Sequence, residues 1–258
     1  MNATIDVIMK RRSTRAYSDE PITVEEKNTI LEATLRAPTA GNMMLYSILE
    51  IDSQELKVRL SETCDHQPFI AEAPWVLLFL ADFQRLYDYF EYCQVPRRCT
   101  ELGKEFRKPG AGDLMLACCD ALIAAQTTVL AAESLGIGSC YVGDILENYE
   151  THRELLNLPP YVFPITMLCL GHSTRELSEK NRTTRFAREF IVYHDTYKRL
   201  GNEDFKRMYA PLEPSDGAPR RFFMDSENIG QSIYLRKTGA EFSSEMIRSV
   251  KAMLENWL

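Results

Sequence analysis

"GDLMLACCDALIAAQTTVLAAESL", Gly112 to Leu135, is the longest apolar stretch of the chain. Asp113, Asp120, Gln126 and Glu133 interrupt it, so it holds no uncharged apolar run of the roughly 20 residues that a bilayer span needs. It reads as a buried helix, about 36 Å long at about 1.5 Å per residue, enough to cross a whole domain. Apolar residues lie nearly all round it, and one small domain covers every side of such a helix with difficulty. A homodimer interface would supply the missing cover. Gly136 ends the helix, and "GIGSCYVGDI", Gly136 to Ile145, follows as a loop and short strand.

Outward from this helix, short apolar runs read as strands. Trp75 to Ala81 lies between Pro74 and Asp82, Ile165 to Leu170 is closed by Gly171, and Tyr46 to Ile51 is strand-like. Amphipathic helices are expected over Ile5 to Lys10, after the Thr23–Glu26 capping box as far as Pro38, over Ser53 to Thr63, and over Leu86 to Cys93. Arg97 to Gly112 is charged, contains Pro109 and Gly110, and reads as an excursion. From His172 the chain turns polar, with a helix expected near Asp195 to Arg207. In the last helix Ser243 is the expected cap, Phe242 and Ile247 a hydrophobic staple, and Met246, Val250, Met253, Leu254 and Trp257 one face.

Composition narrows the function. The chain has 258 residues, 45% hydrophobic and 10% aromatic, enough for one large core. Its 37 acidic against 30 basic residues, net charge −7, argue against a nucleic-acid partner. Met1 to Met9 alternates apolar and polar residues unlike a signal peptide, so the expectation is a cytoplasmic protein without a membrane partner. The seven cysteines contain no CxxC pair and the four histidines no HExxH, which argues against disulfides and a metal site.

Against this acidic background stands "KRRSTRAYSDEPIT", Lys10 to Thr23, with Lys10, Arg11, Arg12 and Arg15 around Ser13. If the segment is extended, Arg11, Ser13 and Arg15 point one way and Arg12 and Thr14 the other. Two guanidiniums flanking a hydroxyl make a phosphate clamp, because the planar fork of Arg donates in pairs to phosphate oxygens. A solvated basic loop is the plainer reading of these residues alone. "SEKNR", Ser178 to Arg182, adds Lys180 and Arg182 as a second arm or as another exposed loop. "APTAGN", Ala37 to Asn42, and "YVGD", Tyr141 to Asp144, are small-residue turns where backbone can approach a flat ring, or turns and no more.

Taken in order, "RRSTRAYSDEPIT", "APTAGN", "DHQPFIAEAPWVLLFLAD", "AAESLGIGSCYVGDI", "LCLGH" and "EKNR" resemble the nitroreductase superfamily of FMN-dependent oxidoreductases. Within it the chain is most similar to the oxygen-insensitive major nitroreductase and NADPH-flavin oxidoreductase subgroup, over about Thr4 to Tyr197. The resemblance implies an α+β fold: a central, mixed but mostly antiparallel sheet flanked by helices, with a C-terminal extension, in a domain-entwined homodimer. It implies an FMN-binding core over residues 1–171, and an arm and helices over 172–258 that complete the core and dimer.

The same resemblance assigns the site. Arg11, Ser13 and Arg15 hold the FMN phosphate and ribityl end, with Arg12 a candidate by its place in the run, and Lys180 and Arg182 join from the arm. Gln67 matches a glutamine that hydrogen-bonds the cofactor, and Tyr141, Val142 and Gly143 match the segment beside the isoalloxazine ring. Thr39, Gly41 and Asn42 match a turn that reaches the flavin of the other protomer. No side chain is needed as catalytic acid or base: NAD(P)H passes hydride to flavin N5, and a nitroaromatic, quinone or flavin acceptor then takes the electrons, in ping-pong order. Reductive dehalogenation, desaturation, or FMN binding without turnover are the alternatives. Asp144 stands where the subgroup often has a second glycine, so a carboxylate lies beside the ring or caps the next helix. Met43 and Met44 replace residues that are often polar, and Arg220, Arg221 and Arg236 are the candidates to read an NADPH 2'-phosphate.

Overall fold

The computed structural model describes residues 2–174, 183–212 and 222–258. Two compact units divide the chain: Met1–Glu176 with Glu245–Leu258, and Leu177–Ser244.

The first unit is built on a four-stranded antiparallel sheet, β1 (Tyr46–Glu50), β2 (Trp75–Asp82), β3 (Gly138–Val142) and β4 (Val162–Gly171), in the order β1-β2-β4-β3. Every residue of β2 is buried. The period of two explains why an unbroken apolar run serves here, since alternate side chains leave opposite faces and both faces are covered. Trp75, Leu77 and Phe79 enter a cluster with Ala121, Ala124, Ala125 and Val129. Val76, Leu78 and Leu80 enter another with Leu60, Ile70, Cys140 and Cys169. The sheet is thus the middle layer of three, an α+β arrangement.

Helices α1 (Ala3–Lys10), α2 (Val24–Thr34), α3 (Gln54–Thr63) and α5 (Gln84–Tyr92) follow the expected pattern, the Thr23–Glu26 capping box is formed, and an unexpected short helix, α4 (Phe69–Glu72), follows Pro68. The charged excursion holds a helix, α6 (Val95–Glu101). Left-handed Gln94 separates it from α5, and Pro96 sits in its first turn, where a missing N–H costs nothing.

α7 (Ala111–Ser134) packs against all four strands of the sheet. Its inner face is mostly alanine, Ala117, Ala121, Ala124, Ala125 and Ala132, which lets it approach the sheet and α2 closely. By length and hydropathy it would pass for a membrane span, but this inner face is sequestered in the core. On the outer face Met115 is 64% exposed, and Leu116, Leu122 and Ile123 are 40% exposed or more.

β4 is longer than expected and begins before Pro164. The register jumps from Phe79↔Thr166 to Leu80↔Pro164, leaving Ile165 as the extra residue of a bulge. Proline is tolerated because β3 pairs only with Met167–Gly171, so the Pro164 stretch has a strand neighbour on one side alone. After β3, α8 (Tyr149–Leu155) leads back towards the sheet.

In the second unit the expected helix starts later, as α9 (Asn202–Tyr209), where Asp204 Oδ2 accepts from the Gly201 N–H at 3.1 Å. A short helix, α10 (Ile229–Ile233), follows. The last helix, α11 (Glu241–Leu254), belongs to the first unit from Glu245 onward; it starts two residues before Ser243, so Ser243 is interior and not its cap. Phe242 accordingly lies under Lys237, its ring centroid 5.3 Å from Nζ, instead of stapling Ile247, which is 55% exposed. Met253 and Trp257 are buried as expected, with Val250 and Leu254 packed beside them.

A single glycine positions the arginine-rich segment. A Cβ on Gly138 would stand 2.2 Å from Thr14 Oγ1, so Thr14 occupies the place of a side chain at the start of β3. Gly138→Ala is expected to cost about 1–3 kcal/mol, the range for overpacking, read as a lowered urea midpoint at unchanged slope.

Candidate functional site

Arg11 ends α1 in an extended conformation, and the chain then runs along β3. Ser13 and Ser139 form a parallel bridge, and the Thr14 N–H donates to Ser139 O at 2.9 Å. With Thr14 turned towards Gly138, Ser13 and Arg15 are exposed. The Arg15 guanidinium lies 5.6 Å from the centroid of the Phe69 ring. Burial pushes the Cys140 thiol up, while Arg15, Ser13 and Arg11 all act to lower it. The residues expected on one side of the segment therefore converge on one place. Arg12 differs: its Nε is buried and has no hydrogen-bond partner among the described residues. Among those residues, too, none of Arg11, Arg12 and Arg15 forms an ion pair. Unpaired guanidiniums on one short segment suit an anion with several acceptor oxygens.

β3 carries the site onward. Burial raises the Tyr141 hydroxyl to about 12, and this group donates to Gln126 Oε1 of α7 at 3.2 Å. Val142 is buried, whereas Gly143 is exposed and a Cβ there would meet no atom within 4 Å. Backbone is open to a flat ligand at this point. Gln67 follows two left-handed residues, Asp65 and His66, that turn the chain after α3. Its Nε2 donates to Cys64 O at 2.9 Å and to Asp144 Oδ2 at 2.8 Å. Asp144 thus turns towards Gln67.

The Thr39–Asn42 turn is fixed separately. Gly41 and Asn42 are left-handed, as is Met44 at φ 52°, a conformation that glycine and asparagine adopt readily and methionine does not. Thr39 Oγ1 accepts from the Met44 N–H at 3.3 Å, and Arg85 donates to Met44 O, so the turn is held from both sides. Asp120 binds it to α7, accepting from the N–H groups of Ala40 at 2.9 Å and Leu45 at 3.1 Å. Among the described residues no hydrogen bond or ion pair joins this turn to the arginine segment within one chain. Lys180 and Arg182, and likewise Arg220 and Arg221, lie outside the described residues.

Next to Gly143 is a group of acids. Glu147 is 5% exposed, and its carboxyl is pushed up to about 8 by burial first, then by the charges of Asp144 and Asp65, a hydrogen bond with Asp144, and the charge of Glu245. Its Oε1 faces no donor among the described residues, which suits a carboxyl that keeps its proton. The site is therefore cationic along Arg11–Arg15 and acidic beyond Gly143.

The nitroreductase-family model matches residues 8–172, which span the arginine segment, the sheet and α7. The chain belongs to the nitroreductase family. Among curated members, the FMN reductase (NAD(P)H) of Bacillus subtilis strain 168 is 34% identical over 201 residues, 76% of this chain and 75% of its own. The oxygen-insensitive NADPH nitroreductase of Salmonella typhimurium is 31% identical over 200 residues, 78% and 77% of the two chains. The solved structure of B. megaterium NfrA2 superposes with a TM-score of 0.78 at 26% identity, covering 100% of this chain and 98% of that one. Family and fold class are those that the ordered motifs implied.

Sequence reading missed two anchors of this family member's site. Asp120 looked like an interruption of an apolar helix, yet it falls on the stripe of Ala117, Ala121 and Ala124, and a polar residue on a buried stripe must have partners. The Asp144–Gln67 bond joins residues 77 apart, and no local pattern announces it.

The acid group gives a sign to pH dependence. A carboxyl raised in the fold binds its proton between the ordinary glutamate value and about 8, where the unfolded chain has lost it, so stability falls as pH rises through that window. Glu147→Gln is expected to flatten this part of the curve of melting temperature against pH between about 5 and 8. A slope equal to that of the wild type would mean that Glu147 is not the group responsible.

Proposed function

We propose that this member of the family is an NAD(P)H-dependent FMN oxidoreductase that acts as a cytosolic homodimer on nitroaromatic, quinone or flavin acceptors. The observation that carries this is the set of guanidiniums on Arg11–Arg15 that form no ion pair among the described residues, tied through Ser13–Ser139 to the strand that ends at the open backbone of Gly143. The names of the relatives, FMN reductase and NADPH nitroreductase, support the same cofactor and reductant.

Arg11, Arg12, Ser13 and Arg15 would hold the phosphate end of FMN, with Lys180 and Arg182 as the second arm. Tyr141, Val142 and Gly143 would lie beside the ring, and Gln67 would hydrogen-bond it. When bound, FMN supplies the two-electron chemistry that no side chain provides. The protein's part is to bind, orient and leave one face open, so that reductant and acceptor use one pocket in turn. Ping-pong kinetics follow from that sharing.

The outer face of α7 supports the dimer. Met115, Leu116, Leu122 and Ile123 form an exposed apolar stripe along one side of the helix, and a contiguous apolar face of this kind suits a protein–protein contact. A second copy packed there would bring its own Thr39–Asn42 turn, anchored on α7 through Asp120, towards the neighbouring flavin.

Arg15→Ala is expected to weaken FMN binding by about 1.5–3 kcal/mol, the range for a hydrogen bond to a charged group, with the circular dichroism spectrum unchanged. Unaltered FMN affinity in a fluorescence titration would remove Arg15 from the site. Replacing Met115 and Leu122 together by Glu should give monomers in sedimentation velocity and reduce FMN affinity; a persistent dimer would move the interface elsewhere.

A further inference from the structure

The amide of Gln67 has one orientation that satisfies its neighbours. Its Nε2 meets two acceptors, Cys64 O at 2.9 Å and Asp144 Oδ2 at 2.8 Å. A flipped amide would set its oxygen against both, losing two hydrogen bonds and adding a repulsion. With both N–H groups engaged, only Oε1 is left to face a ligand.

Asp144 is in turn held from behind. It stands at the start of the short turn Asp144–Leu146, and Glu147, whose N–H donates to Asp144 O at 3.0 Å, brings its carboxyl onto that of Asp144. The groups facing Glu147 are acidic on each element: Asp144 on its own turn, Asp65 after α3, and Glu245 of α11. Cys64 lies close, and the neighbouring His152 is fixed between Ile145 O and Thr63 Oγ1. Glu245 is occupied by Arg248, which also pairs with Glu150. A carboxyl so surrounded can keep its proton and donate it to Asp144, which then accepts from both Glu147 and Gln67.

We propose that Asp144, backed by Glu147, is a positioning residue that locks the Gln67 amide with its oxygen towards the cofactor, so that this position accepts a hydrogen bond and cannot donate one. The cofactor in that statement rests on the FMN reading above; the lock itself does not. It makes the glutamine selective for the N–H or O–H groups of a ligand over its carbonyl oxygens. It also gives the lock an upper pH limit. Loss of the Glu147 proton puts two carboxylates side by side, and Asp144 loses its donor.

Two arms test this. In the first, which needs no flavin, the Gln67 side-chain amide is followed by 1H–15N NMR, assigned by its absence in Gln67→Ala. Slow solvent exchange is expected in the wild type near pH 7, fast exchange in Asp144→Ala, and a loss of protection towards pH 9 that Glu147→Gln abolishes. In the second arm FMN dissociation constants form a double-mutant cycle. Asp144→Ala should weaken binding about tenfold in the wild type and less than about twofold in Gln67→Ala, because it acts only through Gln67. Asp144→Asn, which keeps an acceptor oxygen, should restore most of the affinity.

Protection of this amide, taken relative to the base-catalysed exchange of a free glutamine amide at the same pH, that changes with neither Asp144→Ala nor pH overturns the proposal, as does an equal loss of FMN affinity in the two backgrounds. If Asp144→Ala does not fold, the comparison of wild type with Glu147→Gln across pH decides alone, and identical protection profiles overturn the lock. Protein that binds no FMN but shows the expected exchange behaviour would remove the functional reading and keep the lock.

Discussion

The contact between Thr14 and Gly138 is the constraint on which the rest of the site depends. An arginine-rich segment left to itself would spread into solvent, since its charges repel and nothing apolar draws it in. Here Thr14 takes the place of a missing side chain, and the Ser139 carbonyl takes the Thr14 N–H at 2.9 Å. The segment is thereby stitched to the first residues of β3. Because β3 is paired with β4 along its length, the arginines inherit the rigidity of the sheet. The order of causes runs from one glycine, to the docking of a segment, to the convergence of Arg11, Ser13 and Arg15 near Cys140.

Much of this was legible in the residues because the relevant signals are local. β2 shows as WVLLFLA, α2 as a capping box followed by helical spacing, and the two sides of Arg11–Arg15 as simple alternation. Where the chain departs from expectation, a non-local partner is the cause. β4 extends through Pro164 because it has one neighbour there and can bulge at Ile165. Asp120 and Asp144 were visible as letters, but their roles depend on backbone N–H groups and a side-chain amide that the fold delivers from far along the chain.

The electrostatics of the two ends of β3 differ in kind. At its start stand Arg11, Arg12 and Arg15, which form no ion pair among the described residues, with Arg15 exposed to an anion. Just past its end, at Glu147, an acid is buried among other acids and keeps its proton. Between them Gly143 leaves the backbone bare. A ligand with an anionic tail and a flat polar ring matches that sequence of environments, and FMN is such a ligand.

In the proposed function, these environments bind FMN where reduced nicotinamide can reach it. The direct measurement is the visible absorbance spectrum of the purified, FMN-reconstituted protein, recorded anaerobically before and after addition of NADPH and then NADH. Flavin bands are expected to remain with the protein through gel filtration, bleach on adding at least one nicotinamide, and return when a nitroaromatic or quinone is added. Protein that emerges colourless, or bound flavin that neither nicotinamide bleaches, would contradict the proposed function.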